Sequence, residues 1–177
     1  WYVNILRAMY EPIHKAGKSL IVRDFAYTAE QQSLMIQACE AISDEIIIAL
    51  KAQPHDYYPT FPTNPEIGHT GNLREYIEFD TWGQYFGMGI APMSLAEDIK
   101  ERLEVCYEKG AEGVWFRTDW ELIHDASVHA TPSLVNLYAG AMLSNNLDID
   151  LDEIYRVWTA EGLYSPMKCA SCSQIPV

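Results

Sequence analysis

The chain is 177 residues long, 49% of them hydrophobic, and carries a formal net charge of −13. Its length and apolar content suffice for a buried core and exclude a disordered segment, and no apolar run reaches the roughly 20 residues of a membrane-spanning helix. With 12 Lys and Arg against 25 Asp and Glu, the charge has the wrong sign for binding a phosphate backbone, so no nucleic-acid partner is expected.

Taken in order, Val3, Ile5, Leu6, Met9, Tyr10 and Ile13 recur at helical spacing over residues 2–16, with Gly17 as the stop. A short β-type run follows from Ser19 to Phe25. Thr28 and Gln31 have the spacing of a capping box and open a helix to about Ile42. Glu45 to Lys51 (EIIIALK) reads as a buried parallel strand, nearly all apolar and β-branched at its start. A long Pro- and Tyr-rich loop comes next, then a strand from Arg74 to Thr81. Ser94 and Glu97 form a second capping box, starting a helix that stops near Gly110. Gly113 to Asp119 is a fourth strand. Helices over Pro132 to about Leu143 and Leu151 to about Trp158 follow, the latter capped by Asp148 or Asp150.

Strands alternating with helices, without hairpin signals, predict an α/β fold of parallel βα units forming a single domain over residues 1–177. An open doubly wound sheet would call for a glycine-rich loop after the first strand, and Arg23 to Tyr27 contains no glycine. The long loops after strands two to four favour half of a (β/α)8 barrel. Half a barrel leaves strand edges bare, so a homodimer, or an N-terminal half-barrel lost from a longer chain, is expected.

In such a fold chemistry collects past the carboxyl ends of the strands. Arg23 and Lys51 end strands one and two. They suit an anion clamp, or ion pairs with Asp24 and Glu78 or Asp80; spacing leaves both open. On strand three, alternation puts Glu78, Asp80 and Trp82 on one face. Two carboxylates beside an indole are typical of a sugar site, the alternative being a mutually satisfied barrel interior. Asp56, in PHDYYP (Pro54–Pro59), is a general base or a turn residue. Arg117, Asp119 and Trp120 complete the rim. His55, His69, His124 and His129 lie near loops but have no HxH or HExxH spacing, so no metal is expected. Cys39 and Cys106 fall in helical patterns as small core residues, and Cys169 and Cys172 have a CxxC spacing without a second pair or a neighbouring His.

Three segments resemble glycoside hydrolase family 67, the α-glucuronidases. EIIIALKAQPHDYYPTFPTNPEIGH (Glu45–His69) is similar to the family's VxVQIKNGPxDFQxREPxSPLFG. IEFDTWGQYFG (Ile77–Gly87) resembles ELQITQEYxG, and VNLYAGAMLSNNLDIDLDEIYRVW (Val135–Trp158) resembles ANxYxFGRLAWNPDLSxExIxxEW. The likeness spans about Leu20 to Glu161 and implies the later half of the family's catalytic (β/α)8 barrel. It implies that Arg23 and Lys51 hold a uronate carboxylate, and that Asp56 is one of two carboxylates positioning the attacking water of an inverting hydrolysis. The second carboxylate of that pair falls on Gln84, whose neutral amide is no base. The family's general acid lies on a strand before Trp1. The expectation is therefore part of a cofactor-independent glycoside hydrolase acting on a uronate-bearing or related polysaccharide, with Trp82 or Trp120 stacking on the sugar. The alternative is a non-catalytic carbohydrate-binding or structural half-barrel that needs a partner chain.

Overall fold

The computed structural model describes residues 1–26, 28–54, 56–87, 91–119 and 127–160. The elements run α1 (Tyr2–Lys15), β1 (Ile21–Arg23), α2 (Ala29–Glu40), β2 (Ile47–Lys51), β3 (Arg74–Asp80), α3 (Ala96–Glu108), β4 (Gly113–Arg117), a 3-10 turn (Val128–Ala130), α4 (Leu134–Asn145) and α5 (Leu151–Ala160). The strands form one sheet of order β1-β2-β3-β4. β2 runs parallel to β1 and to β3, with Arg23 opposite Ala49 and Lys51 opposite Glu78. The class is α/β, as expected. The crossover from β2 to β3 is made by residues 52–73, long enough for a parallel connection and without a helix among its described residues.

Each element has a local cause. β2 is buried at all five positions, as its continuous apolar run requires of a central strand covered on both faces. Ile46, Ile48 and Leu50 are fully enclosed, and each contributes about 1.5–3 kcal/mol through area removed from water. Thr28 caps α2 as its spacing predicts, Oγ1 accepting from the Gln31 amide at 3.2 Å. Asp150 caps α5, Oδ1 accepting from the Asp152 amide at 3.0 Å. The second capping box differs. α3 starts at Ala96, and the Ser94 hydroxyl lies 2.6 Å from the Tyr155 hydroxyl, while the Leu95 amide is taken by Asn136 Oδ1 at 2.7 Å. Ser94 Oγ still accepts weakly from the Ala96 amide at 3.4 Å, so a tertiary partner at Leu95 joins the local cap.

The chain divides into two compact units. One comprises Trp1–Phe79 with Glu104–Trp115, the other Asp80–Leu103 with Phe116–Val177. The first is built around Leu6, Leu20, Val22, Ile36, β2, Ile77 and Phe79, and the second around Trp82, Ile99, Leu103, Val128, Leu143, Ile154 and Trp158. Cys39 and Cys106 are buried in the first unit. Burial pushes the Cys39 thiol up to about 11, which leaves it unreactive as a thiolate. Among the described residues no helix is long and apolar enough to cross a membrane.

Candidate functional site

Parallel register decides which side chains meet in the first unit. Cα partners in neighbouring strands point to the same face, and residues two apart on one strand share it. Lys51 is opposite Glu78, and Arg23 is opposite Ala49, two residues before Lys51. Arg23, Lys51 and Glu78 therefore lie on one face, at or near the carboxyl ends of β1, β2 and β3.

Glu78 is the hub. Its carboxylate accepts from Arg23 at both oxygens, the Nη2 to Oε1 bond measuring 2.7 Å, and from the Tyr57 hydroxyl. This ion pair, with its hydrogen bond first among causes, holds the Arg23 guanidinium firmly protonated. Lys51, 4% exposed, places Nζ 4.8 Å from the centre of the Phe25 ring and 5.2 Å from that of Tyr57. Burial lowers its ammonium below the usual lysine range and Arg23 pushes the same way, while Asp56, Glu78 and Asp24 oppose. Asp24 is 4% exposed and accepts from the Gln32 amide group and, at 2.9 Å, from the Ala26 amide. Asp56 donates its own N–H to Pro54 O at 2.8 Å and accepts the Tyr57 amide at Oδ1 at 2.9 Å. It is thus both a turn residue and the largest electrostatic counterweight to the burial of Lys51. Two cations and three carboxylates share one mouth.

Tyr57 was missed by sequence reasoning. It reads as one of several loop tyrosines, yet it is 3% exposed and binds Glu78. Its only sequence signal is adjacency to Asp56 within a proline-bounded segment, which does not say which tyrosine turns inward.

Asp80, Trp82 and Gln84 fall in the second unit and form a cluster of their own there. β3 stops at Asp80, so strand alternation does not carry on to Trp82, and the expected three-residue face is not formed. Asp80 instead folds the chain over. Its carboxylate accepts the amides of Trp82, Gly83 and Gln84, each at 3.1 Å, with Arg117 Nε at 3.6 Å. Burial still pushes its carboxyl up, against Arg117 and the three amides. Gly83 turns at φ +86, where an added Cβ would meet the Met93 sulfur at 2.5 Å.

Trp82 is 0% exposed, packed with Val128 and Leu137, and the Arg117 guanidinium lies 5.6 Å from its ring. It presents no open ring face, which corrects its assignment as a stacking platform: the indole is core. Gln84 Oε1 accepts from Arg117 at 2.7 Å. Asp80 and Gln84 thus serve to build a turn around Arg117, and neither points to sugar binding. Trp120 and His55 lie outside the described residues, as do Cys169, Cys172 and His124. Among the described residues no group of three or more His, Cys, Asp or Glu is arranged to hold a metal ion.

Asp24, buried at the mouth, and Glu75 near the start of β3 are both raised above their ordinary carboxylate values, in each case chiefly by burial. A folded-state carboxyl pKa above the unfolded one favours the protonated fold, so this stability is fully present below about pH 4 and is lost as pH rises through the folded value. Denaturation midpoints should fall as pH rises above 4 toward neutrality. Asp24→Asn, which keeps an acceptor for Ala26, should flatten that slope, measured by urea unfolding across this range. An unchanged slope would show that Asp24 is ionised at no cost.

No protein-family model matches the chain, and no curated protein matches it.

Proposed function

We propose that β1–β4 are four strands of a (β/α)8 barrel and that the cluster at their carboxyl ends is the sugar-binding mouth of a glycoside hydrolase resembling the α-glucuronidases. The carrying observation is convergence. Arg23, Lys51, Asp56 and Glu78 come from three strands and a loop spread over 56 residues of sequence, and they interact as one group. In parallel α/β folds, closed or open, ligands sit at this end of the strands.

Within this proposal Asp56 orients the attacking water, its carboxylate fixed by the Tyr57 amide. Glu78 and Tyr57 hold Arg23 in place. Because Arg23 is committed to Glu78, selection of a uronate carboxylate falls on Lys51, with sugar hydroxyls bonding the surrounding charged groups. Phe25, 53% exposed beside Lys51, offers an apolar surface for a ring face. Inverting hydrolysis also needs an acid on the opposite side of the sugar, roughly 6.5–9.5 Å from the base. That acid and the remaining strands would come from a longer chain or a second copy.

Calorimetric titration with glucuronate and with xylose tests the site. Binding of glucuronate, weakened at least about tenfold by Lys51→Met, is the expected result; one ammonium–carboxylate contact of about 1.4 kcal/mol accounts for it. Asp56→Asn should leave that binding in place and abolish any turnover of aryl α-glucuronides. Absence of binding to either sugar favours the second reading, a structural half-barrel, for which the internal satisfaction of Glu78 by Arg23 and Tyr57 is the supporting observation.

A further inference from the structure

We propose that Lys51 is an imine-forming amine: seated between the Phe25 and Tyr57 rings at the end of β2 and faced by Asp24, Asp56 and Glu78, it captures the carbonyl of a small hydroxyaldehyde. The inference goes beyond hydrolysis and does not depend on the charge of the sugar.

Three observations combine. The first is placement. Lys51 ends a parallel strand, 4% exposed, with aromatic rings 4.8 and 5.2 Å from Nζ. A lysine buried against apolar surface and beside a second cation is the environment that turns an ammonium into a nucleophile, and Arg23 is that second cation. The second is charge. Attack on an aldehyde ends in an iminium cation, and Asp24, Asp56 and Glu78, which oppose loss of the Nζ proton before attack, hold that cation once it has formed. The third is a proton source. The Tyr57 hydroxyl, bonded to Glu78, belongs to a ring already in contact with Nζ.

The step balances as follows. The Nζ lone pair attacks the carbonyl carbon, a C–N bond forms, and the C=O π electrons pass to oxygen. One N–H proton moves to that oxygen, giving the carbinolamine. Tyr57 then protonates the hydroxyl, the C–O bond breaks and water leaves, while the nitrogen lone pair closes the C=N bond. The iminium keeps the second N–H proton, and solvent restores the tyrosine proton. No oxidant or reductant is consumed.

Glycolaldehyde, uncharged and bearing one hydroxyl, is the probe, and borohydride is the trapping reductant: its hydride reduces the C=N bond to a stable secondary amine. The full chain is incubated with limiting glycolaldehyde at neutral pH, reduced, digested and mapped by mass spectrometry. The expected adduct adds the mass of the aldehyde less one oxygen, at Lys51. Labelling there should clearly outpace labelling of the exposed Lys15, Lys18 and Lys109, because burial against the two rings favours the free amine at Lys51. Lys51→Arg, which keeps the charge, should abolish the fast label, and Tyr57→Phe should slow it. Labelling of Lys51 no faster than of the exposed lysines in the unaltered chain overturns the proposal, whether or not the variants fold. The sugar titration is a separate measurement, so this result and the fate of the hydrolase proposal can be told apart.

Discussion

Replacing Trp82 by alanine is expected to destabilise the second unit by about 3–5 kcal/mol, the usual cost of emptying a fully enclosed aromatic site. Trp82 is 0% exposed and packs on Val128 and Leu137. Its own amide is held by Asp80, whose carboxylate also holds the next two amides, so the surrounding chain is fixed and collapses poorly into the space. Arg117, 5.6 Å from the ring centre, loses its cation–π partner as well. Trp82→Phe keeps most of the apolar volume and an aromatic face for Arg117, and should cost less than half as much. Urea denaturation followed by far-ultraviolet circular dichroism measures both. A stacking residue would behave the opposite way: Trp82→Ala would leave the midpoint alone and weaken sugar binding. That outcome would restore Trp82 to the site.

Trp82 also shows where sequence patterning stops. Alternation is a property of extended backbone; the sequence read Arg23 and Lys51 only as strand ends, and it is the parallel register of β1, β2 and β3 that sets them on one face with Glu78. Alternation failed at Trp82, two residues past Asp80, since Asp80 ends β3 and gathers three amides into a turn. An Asp at a strand end carries both possibilities in its chemistry, as an exposed acid or as an acceptor for its own backbone. Only the surrounding fold chooses. The same holds for Ser94, where a capping box was legible but Asn136, 41 residues on, supplies the acceptor for Leu95. Where cause and effect are close in the chain, as at Thr28 with Gln31 or Asp150 with Asp152, the elements were read correctly. β2 was readable for another reason: an unbroken apolar run has no alternative to burial. Its neighbours' strand limits, by contrast, came out shorter than the apolar runs suggest, β1 covering only Ile21–Arg23, because Asp24 turns its carboxylate back onto the Ala26 amide and Gln32. The mouth was legible as a set of charged strand ends. Which charge pairs with which was not, since Arg23 reaches Glu78 across β2 and Tyr57 arrives from the loop.

That pairing makes Glu78 the residue whose removal should disturb the first unit most. Glu78→Ala leaves the Tyr57 hydroxyl buried without its acceptor, strips Arg23 of a two-point partner, and takes from Lys51 one of the carboxylates opposing its deprotonation. Breaking a buried ion pair from one side costs about 3–5 kcal/mol. Here the Glu78 side chain is only 7% exposed but Arg23 is 38% exposed, so water rehydrates part of the orphaned guanidinium and the expected loss is about 2–3 kcal/mol. Glu78→Gln is the informative companion. Its amide oxygen still accepts from Tyr57 or Arg23 but no longer carries charge, so it should recover roughly half of the stability while leaving the mouth more positive. If the mouth binds uronate through Lys51, Glu78→Gln should then bind glucuronate more tightly than the unaltered chain does, even though it is less stable. Denaturation midpoints and calorimetric affinities measured on the same three proteins decide the matter. Affinity that falls in step with stability would mean that Glu78 orders the mouth and its charge is incidental; affinity that rises while stability falls would mean that the ion pair restrains Arg23 and Lys51 from an anionic ligand.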